Sequence, residues 1–283
     1  MLWLDEEYGE GDYWYFNPKN YARPMYKKPK QTKEAPDVSM AGLENTAIKG
    51  IQSIIDAKDE SEEEYRSQLE NLSFTMREMA PSQVIPLEDA KKIVEDIAQP
   101  LVKIDCICRR MTRATLEGNE RPRSCLALGV GMLSWELTPE RYKGGVEFIS
   151  PDEAKKFLEY WNKKGMVHTI MTFGKTVEGA PYIGGLCNCD YPDCIAIRFR
   201  NDYNIKGLLK GEYVAKVDYE TCKGCGTCVS RCQFGAIKKE VTMNKANIDM
   251  FKCFGCGLCK EACPESAITL VERNSIPVLK DEW

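Results

Sequence analysis

Two cysteine runs of identical spacing dominate the end of this chain: Cys222-x2-Cys225-x2-Cys228-x3-Cys232 and Cys253-x2-Cys256-x2-Cys259-x3-Cys263. Each belongs to a copy of one longer pattern, KVDYETCKGCGTCVSRCQFGAI and ANIDMFKCFGCGLCKEACPESAI. A copy reads as a short strand, a cysteine loop and a short helical turn. Duplicated units of this size bury a shared core between them, and here so many core positions are thiols that the core must be largely inorganic.

The two-residue gaps deliver three thiolates to one point from a single tight loop. The three-residue gap carries the fourth away on a helical turn, so that it reaches the centre held by the other loop. The spacing therefore predicts two [4Fe–4S] clusters with crossed wiring. One takes Cys222, Cys225, Cys228 and Cys263; the other takes Cys253, Cys256, Cys259 and Cys232. Gly224, Gly226, Gly255 and Gly257 lie inside the loops, where positive φ lets backbone amides turn toward the sulfurs. Val229, Phe234, Ile237, Leu258 and Ile268 are candidates for an apolar shell. Structural zinc is the alternative, but zinc sites pair two CxxC knuckles rather than two tandem four-cysteine runs.

On these motifs residues 212–273 resemble the bacterial-type ferredoxins with two [4Fe–4S] clusters, which implies a βαββαβ fold, one-electron transfer and low potentials. Two departures stand out. Gln233 follows Cys232 where the family usually has proline, which predicts a less rigid turn. Residues 212–283 also carry equal numbers of acidic and basic side chains. Freely diffusing ferredoxins of this type tend to be acidic, and charge steers such carriers to partners, so a neutral module suits a fixed subunit better.

Six more cysteines precede that region: Cys106, Cys108, Cys125, Cys187, Cys189 and Cys194. The segments DCICRR, SCLALG and LCNCDYPDC resemble a family of largely uncharacterised iron–sulfur proteins, in which a CxC…C…CNC module precedes a two-cluster ferredoxin. A third iron–sulfur cluster, a structural or catalytic zinc, and redox-active or inert thiols all remain open as readings of this set. His168, the only histidine, sits on an expected strand and reads first as a satisfied structural residue, second as a ligand. Arg109, Arg110, Arg113, Arg121 and Arg123 crowd the same region. They would either pair with an acidic surface such as residues 59–64 or offset the negative charge of a thiolate-bound cluster. LALGVGMLSW lacks the glycine spacing of a nucleotide loop.

The remainder sorts into an arm, a helical segment and a module. Residues 1–41 form an arm, expected to be extended, with aromatics Trp3, Tyr8, Tyr13, Trp14, Tyr15, Phe16, Tyr21 and Tyr26 among acids, glycines and prolines. It either packs on its own domain or straps a partner. Residues 42–84 read as helical, with Ile51, Ile54 and Ile55 as a short stripe. Residues 85–205 read as a cysteine-rich α/β module. It contains a helix over 87–98, a second helix opened by Ser150-Pro151-Asp152-Glu153, and a strand over 166–173. Residues 206–283 are the ferredoxin domain. The expected fold class is therefore α+β: a small α/β cysteine-rich module followed by a ferredoxin-like βαββαβ domain.

A net charge of −4 argues against nucleic acid as a main partner. No apolar run approaches the about 20 residues of a membrane span. The acidic opening residues do not resemble a signal peptide, so a soluble, cytoplasmic protein is expected. Fourteen cysteines in such a protein point to metal rather than disulfides. No Ser-His-Asp set or carboxylate pair stands out. The leading expectation is an electron-transfer subunit within a hetero-oligomeric oxidoreductase, beside a flavin, molybdenum, tungsten or hydrogenase subunit. The alternatives are a redox enzyme whose catalytic metal lies at the Cys106–Cys194 site, and a module with structural zinc there.

Overall fold

The computed structural model describes residues 9, 13–23, 52–79, 81–109, 123–136, 146–173, 182–280 and 282. It has the α+β architecture expected. The larger module is built on β1 (Ser82–Ile85), β2 (Leu101–Ile104), β3 (Cys125–Leu128), β4 (Glu147–Ile149), β5 (Val167–Phe173), β6 (Tyr182–Cys189) and β7 (Leu208–Leu209). They form one sheet in the order β4-β2-β3-β6-β5-β1-β7. Neighbours run antiparallel except β1 and β7, which are parallel. The sheet takes its outer strands from slightly beyond residues 85–205.

Helix α1 (Glu62–Met79) follows helical residues 52–60 across a break at Ser61, whose hydroxyl accepts the Glu64 N–H at 3.1 Å. The acidic run at 59–64 is thus a helix boundary. Ile54 is buried and packs with Leu72, Phe199 and Ile205, while Ile55 is exposed; Ile51 lies outside the described residues. Helix α2 (Leu87–Lys92) runs on into a π turn over Ile93–Ile97. Its apolar face, Ala90, Ile93 and Val94, is completely buried.

Helix α3 (Pro151–Lys163) starts as its sequence dictates. The Ser150 hydroxyl accepts the Glu153 N–H at 3.3 Å, and the Glu153 carboxylate accepts the Ser150 N–H at 2.8 Å. This reciprocal cap contributes about 1 kcal/mol. Ala154, Leu158 and Trp161 face inward, and Gly165 ends the helix with φ +88°. Ile85, Leu126, Ile170 and Leu186 from the sheet meet Ile93 and Leu158 from α2 and α3 to make the main core. Each such side chain contributes about 1.5–3 kcal/mol.

The described part of the N-terminal arm is not extended chain. It makes two 3-10 turns, Trp14–Phe16 and Pro18–Tyr21, and packs on its own chain. Trp14, Tyr15 and Tyr21 are buried in the main core. Trp14 donates its indole N–H to Gln83 Oε1 at 2.5 Å, and the Tyr15 hydroxyl donates to Asp89 at 2.8 Å. These three aromatics are therefore internal; Trp3, Tyr8 and Tyr26 lie outside the described residues.

After α4 (Ile195–Tyr203) the chain forms β8 (Tyr213–Val217), α5 (Thr227–Arg231), β9 (Ile237–Glu240), β10 (Lys245–Ile248), α6 (Leu258–Glu261) and β11 (Ile268–Glu272). This is the expected βαββαβ order. β8 pairs with β11 and β9 with β10, both antiparallel, so each repeat contributes one outer and one inner strand. Among the described residues no helix is long and apolar enough to cross a membrane.

His168 is fully buried on β5. Asn162 donates to Nε2 at 3.2 Å, and Nδ1 is 2.6 Å from Asn188 Oδ1, which assigns the proton to Nδ1. Burial pushes its pKa down to about 4. The unfolded chain binds this proton near pH 6.5 and the folded chain refuses it until about pH 4, so the native state loses stability as pH falls through that window. The full loss is about 3 kcal/mol. Denaturant midpoints followed by tryptophan fluorescence should fall between pH 6.5 and 5 in iron-retaining protein, and His168→Gln should flatten that fall. Equal pH dependence in both proteins would refute the assignment.

Candidate metal centres

The two cysteine loops reach their geometry through glycine. Gly224 and Gly255 have φ +68° and +72°, and a Cβ on either would come within 1.8 Å of Asn244 O or 2.2 Å of Tyr213 O. Any side chain there would push the loop off the strand beneath it. Helices α5 and α6 then carry Cys228 and Cys259, and the chain delivers Cys232 and Cys263 just past each helix end.

Two hollows result. One, with ≈ 340 Å³ of open space, is bordered by Cys222, Cys225, Cys228 and Cys263. The other, with ≈ 320 Å³, is bordered by Cys232, Cys253, Cys256 and Cys259. The last cysteine of each run lines the hollow of the opposite run. Backbone N–H groups point at sulfur: Ala236 to Cys232 and Ala267 to Cys263, both at 3.3 Å, and Ala215 to Cys253 at 3.4 Å. Thiolates ringing an apolar hollow with amides aimed at them are the donor set an iron–sulfur cluster requires. Among the described residues no group of three or more His, Cys, Asp or Glu is arranged to hold a single metal ion. The four thiols at each hollow instead stand apart around a larger space.

The hollows differ in their surroundings. Cys225 is exposed, and the Thr227 hydroxyl beside it at 3.4 Å lowers its pKa. Burial raises Cys256 well above the usual thiol range and pushes Cys259 up to about 12. Cys256 is half-buried as a residue, but its thiol faces inward, beside Phe254 and Leu258. The first hollow is the outer one and the second is the inner one.

The inner side is sealed by the larger module. Gly211 donates its N–H to Phe254 O at 2.9 Å, and a Cβ on Gly211 would meet Val84 O at 2.5 Å. Gln233 is a latch across the seam. Its amide donates to Gly165 O at 2.5 Å, its Oε1 accepts the Tyr191 N–H at 2.8 Å, and its own carbonyl accepts from Asn201 at 2.8 Å. In place of the expected loosening, the side chain at this position ties the turn to another module. Lys260 pairs with Glu88, and Arg231 donates to Lys163 O at 2.9 Å. Phe234 stacks on Phe254, centroids 3.9 Å apart and planes 12° from parallel.

The six middle cysteines also converge. Cys187 and Cys189 share one face of β6, Cys125 pairs opposite Cys187, Cys106 and Cys108 follow β2, and Cys194 caps α4. Hydrogen bonds from the Cys108 and Cys125 thiols hold Cys106 well below the usual thiol range. Bonds from Cys108 and Cys189 pull Cys194 down to about 5. Cys125 and Cys189 in turn touch Cys187. His168 is outside this set, its ring nitrogens facing Asn162 and Asn188.

Arg109 is completely buried against the same thiols. It pairs with Asp190 and with Asp193 at 3.5 Å, and it hydrogen-bonds the Ser124 hydroxyl. Arg123 pairs with Asp105 and Glu147, both at 3.6 Å. Neither pairs with the 59–64 acids; Arg110, Arg113 and Arg121 lie outside the described residues. Asp190 and Asp193 both follow the CNC motif, so the two ends of the tie lie in DCICRR and LCNCDYPDC, though nothing local says which acids Arg109 finds. Gln233 stands out in the sequence for its turn alone, and no motif marks Arg273, whose buried guanidinium donates to Gly211 O, Tyr213 O and Cys253 O.

Residues 215–264 match the family described as a 4Fe-4S dicluster domain, a span holding all eight cysteines of the tandem runs. No curated protein matches the chain. This segment is an iron–sulfur domain of the ferredoxin type, whose chemistry is electron transfer.

The latch is directly testable. Gln233→Ala removes the side-chain bonds and should lower stability by about 1–2 kcal/mol. Amide exchange should accelerate at Gly165, Cys189 and Tyr191 while the outer loop keeps its protection. Unchanged exchange at Tyr191 would show that the seam does not depend on Gln233.

Proposed function

We propose that the C-terminal module holds two [4Fe–4S] clusters and that the chain is a fixed one-electron relay within an oxidoreductase complex. Cys222, Cys225, Cys228 and Cys263 would hold the outer cluster, and Cys232, Cys253, Cys256 and Cys259 the inner one. Bound there, the clusters supply reversible one-electron chemistry at potentials set by hydrogen bonding, charge and burial.

The observation that carries this reading is the unequal exposure of the hollows. Cys225 leaves one edge open to solvent, while Cys256 faces the packed interior of the larger module. A free carrier has no need of a buried second face. The latch at Gln233 and the Lys260–Glu88 pair hold the module in one orientation. The exposed Cys225 edge is then where a partner reaches the chain. That partner would be a catalytic subunit of flavin, molybdenum, tungsten or hydrogenase type, in the cytoplasm.

Two measurements test the proposal. Anaerobically purified, dithionite-reduced protein should give electron paramagnetic resonance from two mutually interacting clusters. Cys263→Ala should perturb the signal that Cys222→Ala perturbs, and Cys232→Ala the one that Cys253→Ala perturbs; pairing within each run instead would refute the crossed assignment. A tagged full chain should co-purify from its native cell with a redox subunit. A stable lone monomer there would overturn the fixed-relay reading.

A further inference from the structure

The larger module contains a closed ring of six thiols. Cys106 touches Cys108, Cys108 touches Cys194, Cys194 touches Cys189, Cys189 touches Cys187, Cys187 touches Cys125, and Cys125 returns to Cys106. Cys106 and Cys125 pack in one apolar cluster with Cys108 and Cys187, and Cys189 and Cys194 pack in a second with the same two, so all six are gathered in one place. Four separate stretches of chain meet to build this ring, at one end of the sheet where β2 and β6 finish and β3 begins. Core packing needs no such convergence, since a free cysteine in a core behaves as a small apolar side chain.

Three further features surround it. The Arg109 guanidinium lies beside Cys106 and Cys125 and is fixed by Asp190 and Asp193, so a buried N–H donor group is held at the ring's border. The Thr169 hydroxyl lies 3.6 Å from Cys189 Sγ, giving that sulfur a polar partner. Cys189 and Cys194 pack in one apolar cluster with Cys256, Phe254 and Leu258 of the inner ferredoxin loop.

We propose that the six-thiol ring holds a third iron–sulfur cluster, placed next to the inner ferredoxin hollow and exchanging single electrons with it. Zinc has no redox chemistry, whereas Cys189 and Cys194 lie against the inner ferredoxin loop, where a redox-active centre has an electron partner. The Arg109 guanidinium beside two of the thiols suits a centre whose sulfurs accept hydrogen bonds. The exchange is a bare electron transfer: one electron leaves the inner ferredoxin cluster and reduces the ring-held cluster, with no bond or proton changing hands. This rests on the two-cluster reading of the C-terminal module.

The test is a metal count on anaerobically purified full-length protein. Two ferredoxin cubanes account for about eight irons, and a cluster on the ring raises the count to about twelve or more. The Cys187→Ser, Cys189→Ser double variant should return the count to about eight. It should keep both ferredoxin resonance signals, which also report that the chain has folded, and lose the added spin coupling. About eight irons in the wild type, with or without stoichiometric zinc, would overturn the proposal; so would excess iron that survives the double variant. Fewer than eight irons, with no coupled ferredoxin pair, would instead indict the two-cluster reading.

Discussion

One buried guanidinium holds the inner half of the ferredoxin module in place. Arg273 donates from Nε to Gly211 O at 2.8 Å and from Nη2 to Tyr213 O at 3.0 Å and Cys253 O at 2.8 Å. It thereby joins three things that must agree: the chain leaving the sheet module, the first ferredoxin strand, and the first cysteine of the inner set. A charge taken out of water loses its hydration, and Arg273 replaces it with carbonyls in the fork geometry that lysine lacks. Charged hydrogen bonds contribute about 1.5–3 kcal/mol each, and an unmet carbonyl in the same place costs a comparable amount. The inner thiols stand where they do because these carbonyls have one shared donor.

That anchoring breaks a symmetry written into the sequence. The two repeats are near copies, and their local geometry agrees closely: Ala236 and Ala267 donate to Cys232 and Cys263 at the same distance. Their environments do not agree. The larger module covers the inner loop through Gly211, Gln233 and Lys260, whereas the outer loop keeps Cys225 in solvent. Equal ligand sets in unequal dielectric surroundings would be unequal redox sites, because burial and solvent access tune a cluster. On the proposed reading, direction in this module would come from docking rather than from the duplicated motif.

The parts of the fold legible in the sequence are those set by short-range chemistry. Ser150 and Glu153 announce the start of a helix because a reciprocal cap involves only four consecutive residues. The two runs announce two hollows because loop, helical turn and crossing thiol lie within eleven positions of one another. The six-thiol ring was legible only as a count. Its cysteines come from four stretches that meet through strand pairing, and nothing local states that Cys125 will face Cys187. The arm was ambiguous for the same reason. Trp14 and Tyr15 find Gln83 and Asp89, some seventy residues away, and no periodicity encodes such partners. Gln233 was conspicuous as a departure from a family pattern, but its purpose lies in Gly165 and Tyr191 of another module.

The two kinds of thiol site would depend on metal in different ways. The ferredoxin half has a thin apolar core in which cysteines are core members: Cys222, Cys228, Cys253 and Cys259 pack directly among Val214, Ile237, Ile248 and Ile268. Metal binding there contributes folding free energy outright, and an empty module has little else to close around. The six-thiol ring also packs among apolar side chains, Val102 and Ile104 on one side and Val167 and Ile197 on the other, but its seven-stranded sheet has a separate main core of leucines, isoleucines and aromatics. That scaffold places its thiols by strand register, so it can be complete before any metal arrives. A buried cation already stands beside Cys106 and Cys125. On the proposed readings the sheet would be a preformed site and the ferredoxin fold a metal-assembled one, with the seam at Gln233 and Gly211 where the second closes onto the first.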